Sequence, residues 1–336
     1  THTPMLFFTS RGIVHRLKVY QIPLATPQSR GKALINLLPL EKDENVSVYL
    51  RMPENEEVWD ELDIMFATSH GTVRRNKLSD FRNIRANGLI AMKLGEGERL
   101  VSVKICKEDE DVMLATRNGK AIRFPVSDIR VFSGRTSTGV RGIKLKDKDD
   151  EVISMSILKH IDITPEERAA YMKAANRIIA PEEGTALPAD EEAEEISGNG
   201  VNLTDERYRE LLASEQLVLT VTSKGFGKRT SAYEYRVSGR GGQGVTNMAL
   251  TEKNGGEVVA TFPVTDSHQI MLVTDKGQLI RTKVQNIRIT GRSAQGVTIF
   301  KVGEGESVVS VAWLIQEDEE NGNNGSDESE PEESGD

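Results

Sequence analysis

One cysteine, Cys106, stands among 336 residues, so no intrachain disulfide can form. It reads as a small buried hydrophobe in a protein of a reducing, cytoplasmic compartment. No stretch approaches the roughly 18 apolar residues of a membrane helix, and no membrane partner is expected. His2, His15, His70, His160 and His268 are scattered without metal-ligand spacing. There is no G-x-S-x-G, no H-E-x-x-H and no P-loop. Residues 239–244 read G-R-G-G-Q-G and match the dinucleotide fingerprint in letters only, because strand-like V-T-N-M-A-L follows where a helix is required. No catalytic residue, metal site or cofactor is therefore expected in this chain. Aromatics are only 5%, and Trp59 and Trp313 are expected to pack inside the fold. The chain opens on Thr1 without a signal peptide and reads as a piece of a longer protein.

What is present is a repeat. Five segments carry an apolar run, a threonine and, three residues later, a glycine. The pairs are Thr9/Gly12, Thr68/Gly71, Thr116/Gly119, Thr222/Gly225 and Thr274/Gly277. A second glycine follows 17 to 20 residues on, at Gly31, Gly88, Gly139, Gly244 and Gly296, and each opens another apolar run. Four short β-rich runs per roughly 50 residues, punctuated by glycine turns, are the arithmetic of a propeller blade. One blade cannot bury both faces, so neighbours must stack.

Between the third and fourth units the spacing doubles to 106 residues. The extra segment, 159–215, is expected to be helical, with starts at Thr164-Pro165-Glu166-Glu167 and Thr204-Asp205-Glu206 and a mobile linker between. Charge divides the chain at the same places. Residues 1–158 (three repeats) carry a net +4, the insert −8, residues 216–315 (two repeats) +5, and 316–336, read as a disordered acidic tail, −10. The overall −9 hides two basic blocks.

The cations are in register. Four residues after each first glycine stands arginine: Arg16, Arg75, Arg123, Arg229 and Arg281. Eleven after, it recurs at Arg82, Arg130, Arg236 and Arg288. Lys18, Arg74, Lys77, Lys120, Lys228 and Lys283 lie in the second strand, and Arg30, Lys32, Arg85, Arg135, Arg141, Arg240 and Arg292 surround the second glycine. Equivalent positions in stacked blades point in equivalent directions, so such residues form a row that suits the duplex phosphate backbone, without base readout. Two readings of the five-fold arginine stand: a DNA-facing row, which is preferred, or an ion pair between blades. Asp80, Asp128 and Glu234, nine after their glycines, are the acids in register for the second.

The strings V-M-L-A-T-R-N-G-K-A-I-R-F, S-T-G-V-R-G-I-K-L and G-R-S-A-Q-G-V-T resemble the C-terminal repeats of the DNA gyrase A proteins, which belong to the type IIA topoisomerases. The likeness covers residues 5–158 and 216–315. It implies an all-β, propeller-like β-pinwheel of five to six four-stranded blades that exchange strands, with the helical insert and acidic tail outside the repeat. It implies wrapping of double-stranded DNA, negative supercoiling by the ATP- and Mg-dependent holoenzyme, and assembly with the gyrase A N-terminal region and gyrase B as A2B2. The C subunit of the related topoisomerase IV remains an alternative, as does a propeller scaffold for proteins. The family's Q-R-R-G-G-K-G box has only a partial echo, Gln28 to Ala33, and its catalytic tyrosine region has no counterpart in this sequence.

Overall fold

The computed structural model describes residues 2–26, 29–179 and 203–315, with side chains 176–179 left aside. The expected linker and tail lie outside the described residues, as does Gln28. Unit 1 supplies β1 (Pro4–Thr9), β2 (Ile13–Lys18) and β3 (Val46–Arg51). Unit 2 supplies β4 (Asp63–Thr68), β5 (Thr72–Lys77), β6 (Leu89–Ile90) and β7 (Leu100–Cys106). Unit 3 supplies β8 (Glu110–Thr116), β9 (Lys120–Pro125), β10 (Val140–Arg141) and β11 (Val152–Lys159). Helices α1 (Pro165–Ile179) and α2 (Asp205–Ser214) follow. Unit 4 is β12 (Leu217–Thr222), β13 (Phe226–Ser231), β14 (Val245–Thr246) and β15 (Val258–Val264). Unit 5 is β16 (His268–Thr274), β17 (Leu279–Lys283), β18 (Val297–Thr298) and β19 (Val308–Ile315).

The repeated threonine builds the hairpin that starts every unit. Its carbonyl accepts the N–H of the glycine three residues on, as from Gly12 to Thr9 at 3.0 Å and from Gly119 to Thr116 at 3.1 Å. Its hydroxyl accepts the N–H of the residue after that glycine, at 3.0–3.3 Å in all five units. One short side chain thus satisfies the turn's orphan donors and fixes the register of the two strands it joins.

The blades exchange strands. The sheet orders are β3-β1-β2-β6, β7-β4-β5-β10, β11-β8-β9-β14 and β15-β12-β13-β18, so each fourth strand comes from the next unit. The fifth sheet, β19-β16-β17, has three strands rather than the expected four, because no later unit follows β19 among the described residues. The first glycine of units 1 to 4 marks the crossing point. A Cβ on Gly12 would sit 2.2 Å from the Met92 carbonyl oxygen, and one on Gly225 would sit 2.3 Å from that of Phe300. Both also hold φ near +75°, which only glycine adopts without strain.

The cores lie between blades. Phe8, Trp59, Phe66 and Phe81 fill the first seam, with Phe8 and Phe66 meeting edge to face at 5.8 Å. Val73, Leu114, Phe124 and Ile143 fill the second. Cys106 is buried there as expected, its thiol pushed up to about 12 by desolvation. Trp59 is fully buried, but Trp313 is 45% exposed and stacks on His268 at 4.7 Å. That corrects the expectation for Trp313, which lies on the last blade, where no further blade covers it among the described residues.

Both insert helices form where their caps predict. Thr204 accepts the Arg207 N–H, and Thr164 and Glu167 exchange reciprocal bonds of 3.1 and 3.0 Å. The helices dock on unit 4 through Tyr171, Ala175, Leu211 and Tyr233.

Candidate nucleic-acid interface

The five-fold arginine does not form an outer row. Arg75, Arg123 and Arg229 are buried. Each reaches forward into the short turn that follows the second strand of the next unit. Arg75 donates to the Ile129 carbonyl at 3.2 Å and pairs with Asp63 at 2.5 Å. Arg123 donates to the Ala232 carbonyl at 2.9 Å and to Asp111 at 2.8 Å. Arg229 donates to the Ile287 carbonyl at 2.6 Å and pairs with Asp266. Arg16 makes the same reach, to the Arg82 carbonyl at 2.8 Å, while lying over Trp59. The DNA-facing reading of Arg75, Arg123 and Arg229 is thereby corrected: a guanidinium that spends its fork on buried acceptors has no donors for phosphate. Arg281 is exposed and, among the described residues, bonds only Gln269 on its own blade.

The acids that pair with these arginines were not the expected ones. Asp63 and Asp111 stand twelve residues before Arg75 and Arg123, diagonally across the hairpin, where they pair with Lys77 and Pro125 in register. That spacing recurs and was a readable signal. Asp80, Asp128 and Glu234 hold the following unit's loop instead. The Asp80 carbonyl accepts from Arg135 at 3.1 Å, the Asp128 carbonyl from Arg240 at 3.2 Å, and the Glu234 carboxylate takes the Arg292 N–H at 2.6 Å.

Two further cations are interior. Arg74 is fully buried, with bonds of 2.5 and 2.8 Å to the Arg135 and Ser137 carbonyls. Burial and the neighbouring Arg135 bring it down to about 10. Lys228 is also fully buried, donating to the carbonyls of Gly291, at 2.7 Å, and of Arg292. Desolvation brings it down to about 7. Both face inward and hold the loop before the next unit's second glycine. Neither joins an outer row, which corrects their expected role.

The remaining expected residues reach the surface. Arg30, Lys32, Arg85, Lys120, Arg141, Arg236, Arg240, Arg281, Lys283 and Arg288 are exposed, and Arg16, Lys18, Lys77, Arg82, Arg135 and Arg292 are half-buried. Arg30 and Lys32 lie in the segment before Leu34, which pairs with no strand among the described residues. Arg82 is tied to Asp60 at 2.8 Å and Lys77 to Asp63 at 3.0 Å. Arg82, Arg85 and Arg135 line a shallow groove of about 620 Å³ at the exchanged strand β6. On the next rim loop, Arg240 donates to the Arg141 carbonyl at 3.1 Å, and on the one after, Arg292 donates to the Thr246 carbonyl at 2.9 Å. Arg141 and Thr246 end the equivalent exchanged strands β10 and β14. Lys120 reaches the Thr246 hydroxyl at 3.3 Å. The result is a run of cations along the exchanged-strand edge of successive blades. Lys144, Lys146 and Lys148 are exposed on the loop after β10; their irregular spacing hid them from a search for registered positions.

Comparison with known proteins gives this arrangement a family. The profile described as "DNA gyrase C-terminal domain, beta-propeller" matches residues 4–50, 62–107, 110–159, 216–265 and 268–312. The chain belongs to that family. Its five matched stretches are the five units, and the insert falls outside them. The chain is 49% identical over 336 residues to the DNA gyrase A protein of Granulibacter bethesdensis, covering 97% of this chain and 35% of that protein. It is 47% identical over 323 residues to the DNA gyrase A protein of Rickettsia bellii, covering 96% and 35%. It thus spans about a third of the length of these relatives. Among solved structures, a DNA gyrase A C-terminal domain superposes with a TM-score of 0.67 at 20% identity, covering 94% of this chain and 83% of the other. The C-terminal domain of DNA topoisomerase IV superposes with 0.68 at 20%, covering 94% and 80%. At that identity the two share the fold with this member of the gyrase C-terminal family, and no more.

Proposed function

We propose that this chain binds duplex DNA along the exchanged-strand rim, without reading base sequence, and bends it as part of a DNA gyrase A protein. One observation carries the reading. Arg135, Arg240 and Arg292 hold equivalent places on three successive rim loops, each anchored by backbone carbonyls, with the cations Arg85, Arg141 and Lys120 beside them. Anchoring of this kind pre-positions a charge while leaving its outer face to a phosphate. Bending a 20–30 bp site costs on the order of 1–6 kcal/mol, which added phosphate contacts offset.

In the full-length protein the bend would feed a passing duplex to the catalytic region, which, with gyrase B in A2B2, uses ATP and Mg to introduce negative supercoils in the cytoplasm, at the nucleoid. This chain contributes contacts and curvature, not chemistry. The box that contains Arg30 and Lys32 is partial, so wrapping is expected to depend on residues beyond this chain. Affinity for duplexes of unrelated sequence should be alike and should fall by orders of magnitude as salt rises from roughly 50 to 200 mM. Salt-independent binding refutes the reading. The second reading is the relaxation and decatenation of a topoisomerase IV, whose C-terminal domain shares this fold. Relaxed circles incubated with the full-length assembly and ATP decide between them: negative supercoiling is the expected product.

A further inference from the structure

The acidic insert carries a basic corner. On α1, Arg168, Tyr171 and Ala175 fall three and four residues apart and share one face. Tyr171 and Ala175 dock that face on unit 4, where the Tyr171 ring meets Tyr233 at 5.1 Å. The chain after Tyr233 leads directly to Arg236, and the loop held against Glu234 begins with Arg292. Arg168 of the insert, Arg236 of unit 4 and Arg292 of unit 5 are therefore brought to the same part of the rim, near enough that the latter two repel the Arg168 charge.

The carboxylates that could neutralise them are engaged elsewhere. Glu167 and Glu210 bind Arg207 at 3.1 and 2.8 Å, and Glu215 accepts from the Tyr171 hydroxyl at 3.1 Å. Glu234 faces Arg292, but it takes the Arg292 backbone N–H, is shared with Lys228, and is pushed by burial toward its neutral form. Neither Arg168 nor Arg236 has an ion pair among the described residues. Burial, Arg236 and Arg292 together hold Arg168 below the usual arginine range. Like charges brought together on a partly desolvated surface repel, and such clusters mark sites that an anion completes.

We propose that the insert extends the DNA track: Arg168, Arg236 and Arg292 together seat a backbone phosphate of the bound duplex. The assignment rests on the DNA-binding reading above, because Arg292 is the rim-loop cation equivalent to Arg240, and Lys120 reaches the same Thr246. The insert's net charge of −8 conceals this, since the described acids Glu167, Glu210 and Glu215 bond within the insert while Arg168 is left to the rim.

The test measures the affinity of the 336-residue chain for a long mixed-sequence duplex against salt concentration. Arg168→Ala should lower the slope of log affinity against log salt by about 0.9, roughly a three-fold loss between 50 and 200 mM. Arg168→Lys, which keeps the charge, should retain the slope. Arg209→Ala, an exposed cation on α2, should leave it unchanged, and Arg141→Ala should lower it. Without DNA at low salt, Arg168→Ala should melt no lower than the parent, because it relieves repulsion; a lower melting point would make Arg168 structural and overturn the proposal. A slope changed by Arg141→Ala but not by Arg168→Ala also overturns it, leaving the rim reading intact. Slopes changed by neither overturn both.

Discussion

Four seams join the five blades, and the last blade has no seam after it; the same residues behave differently in the two settings. At the filled seams the repeated glycine is pressed against the next unit and the repeated arginine reaches into the next unit's turn, buried at three seams and half-buried at the first. At the open end a Cβ on Gly277 meets nothing within 4 Å among the described residues, and Arg281 stands exposed. The other end mirrors this, where a Cβ on Gly31 meets nothing within 4 Å among the described residues while its equivalents Gly139 and Gly244 would each place a Cβ 2.4 Å from a neighbouring carbonyl oxygen. Strand β17, which no exchanged strand covers, alternates exposed and half-buried, whereas its counterpart β9 is buried through its centre. A five-fold repeat of a residue therefore reports the geometry of blade joining. The residues proposed to meet DNA are a second set, Arg135, Arg240 and Arg292 with the cations beside them, that stands on the joints.

The largest expected difference comes from cutting one clasp at a seam and its copy at the open end. Arg123→Ala leaves Asp111 fully buried and without its main partner, and should destabilise by about 3–5 kcal/mol. Arg281→Ala should fall within about 0.5 kcal/mol of the parent. Denaturant unfolding of both variants checks this, and equal losses would break the distinction between seam and end. The glycines give a second, smaller contrast. Gly225→Ala meets the Phe300 carbonyl at 2.3 Å and must shift the exchanged strand, for roughly 3 kcal/mol, whereas Gly277→Ala carries only its φ of +81°, for roughly 1 kcal/mol. Thermal melts of the two should rank in that order.

Much of this fold is visible in the sequence because the repeat writes it five times. The turn threonines, the paired glycines and both insert caps sit where their chemistry requires, and the helices at Pro165 and Asp205 follow. The direction in which each arginine points is not visible. Arg75 and Arg85 are both arginines near a registered glycine, yet one is buried against Asp63 and the other is exposed. Their difference lies in which unit's carbonyls surround them, and a backbone carbonyl leaves no mark in the letters. Strand exchange adds to the difficulty, since the partners of Arg123 at Ala232 and of Lys228 at Gly291 lie 109 and 63 residues away. Asp111, which completes the Arg123 clasp, was legible only as a twelve-residue spacing that nothing singled out beforehand.

The smallest expected effect tests the inner cations. The position before the seam arginine is Arg74 at one seam and Lys228 at another, and both hold the next rim loop by its carbonyls. Arg74, at about 10, keeps its charge near neutral pH, while Lys228, at about 7, does not. Its folded value lies below the roughly 10.4 of a free lysine, so between these values the unfolded chain binds more protons. The stability tied to Lys228 should therefore be full above about pH 10 and be lost as pH falls toward 7, a change of about 1 kcal/mol between pH 8 and 7. Glu234 and Arg292 face the same ammonium. Glu234, raised by burial, acts in the opposite direction but begins in the lower carboxylate range, so unfolding measured only above pH 7 favours the lysine signal. Lys228→Met should flatten the slope between pH 7 and 8, and Arg74→Met, at a seam whose cation, at about 10, stays charged over that interval, should not. A slope unchanged in Lys228→Met would mean that the two carbonyls hold the ammonium charged, making the two seams alike.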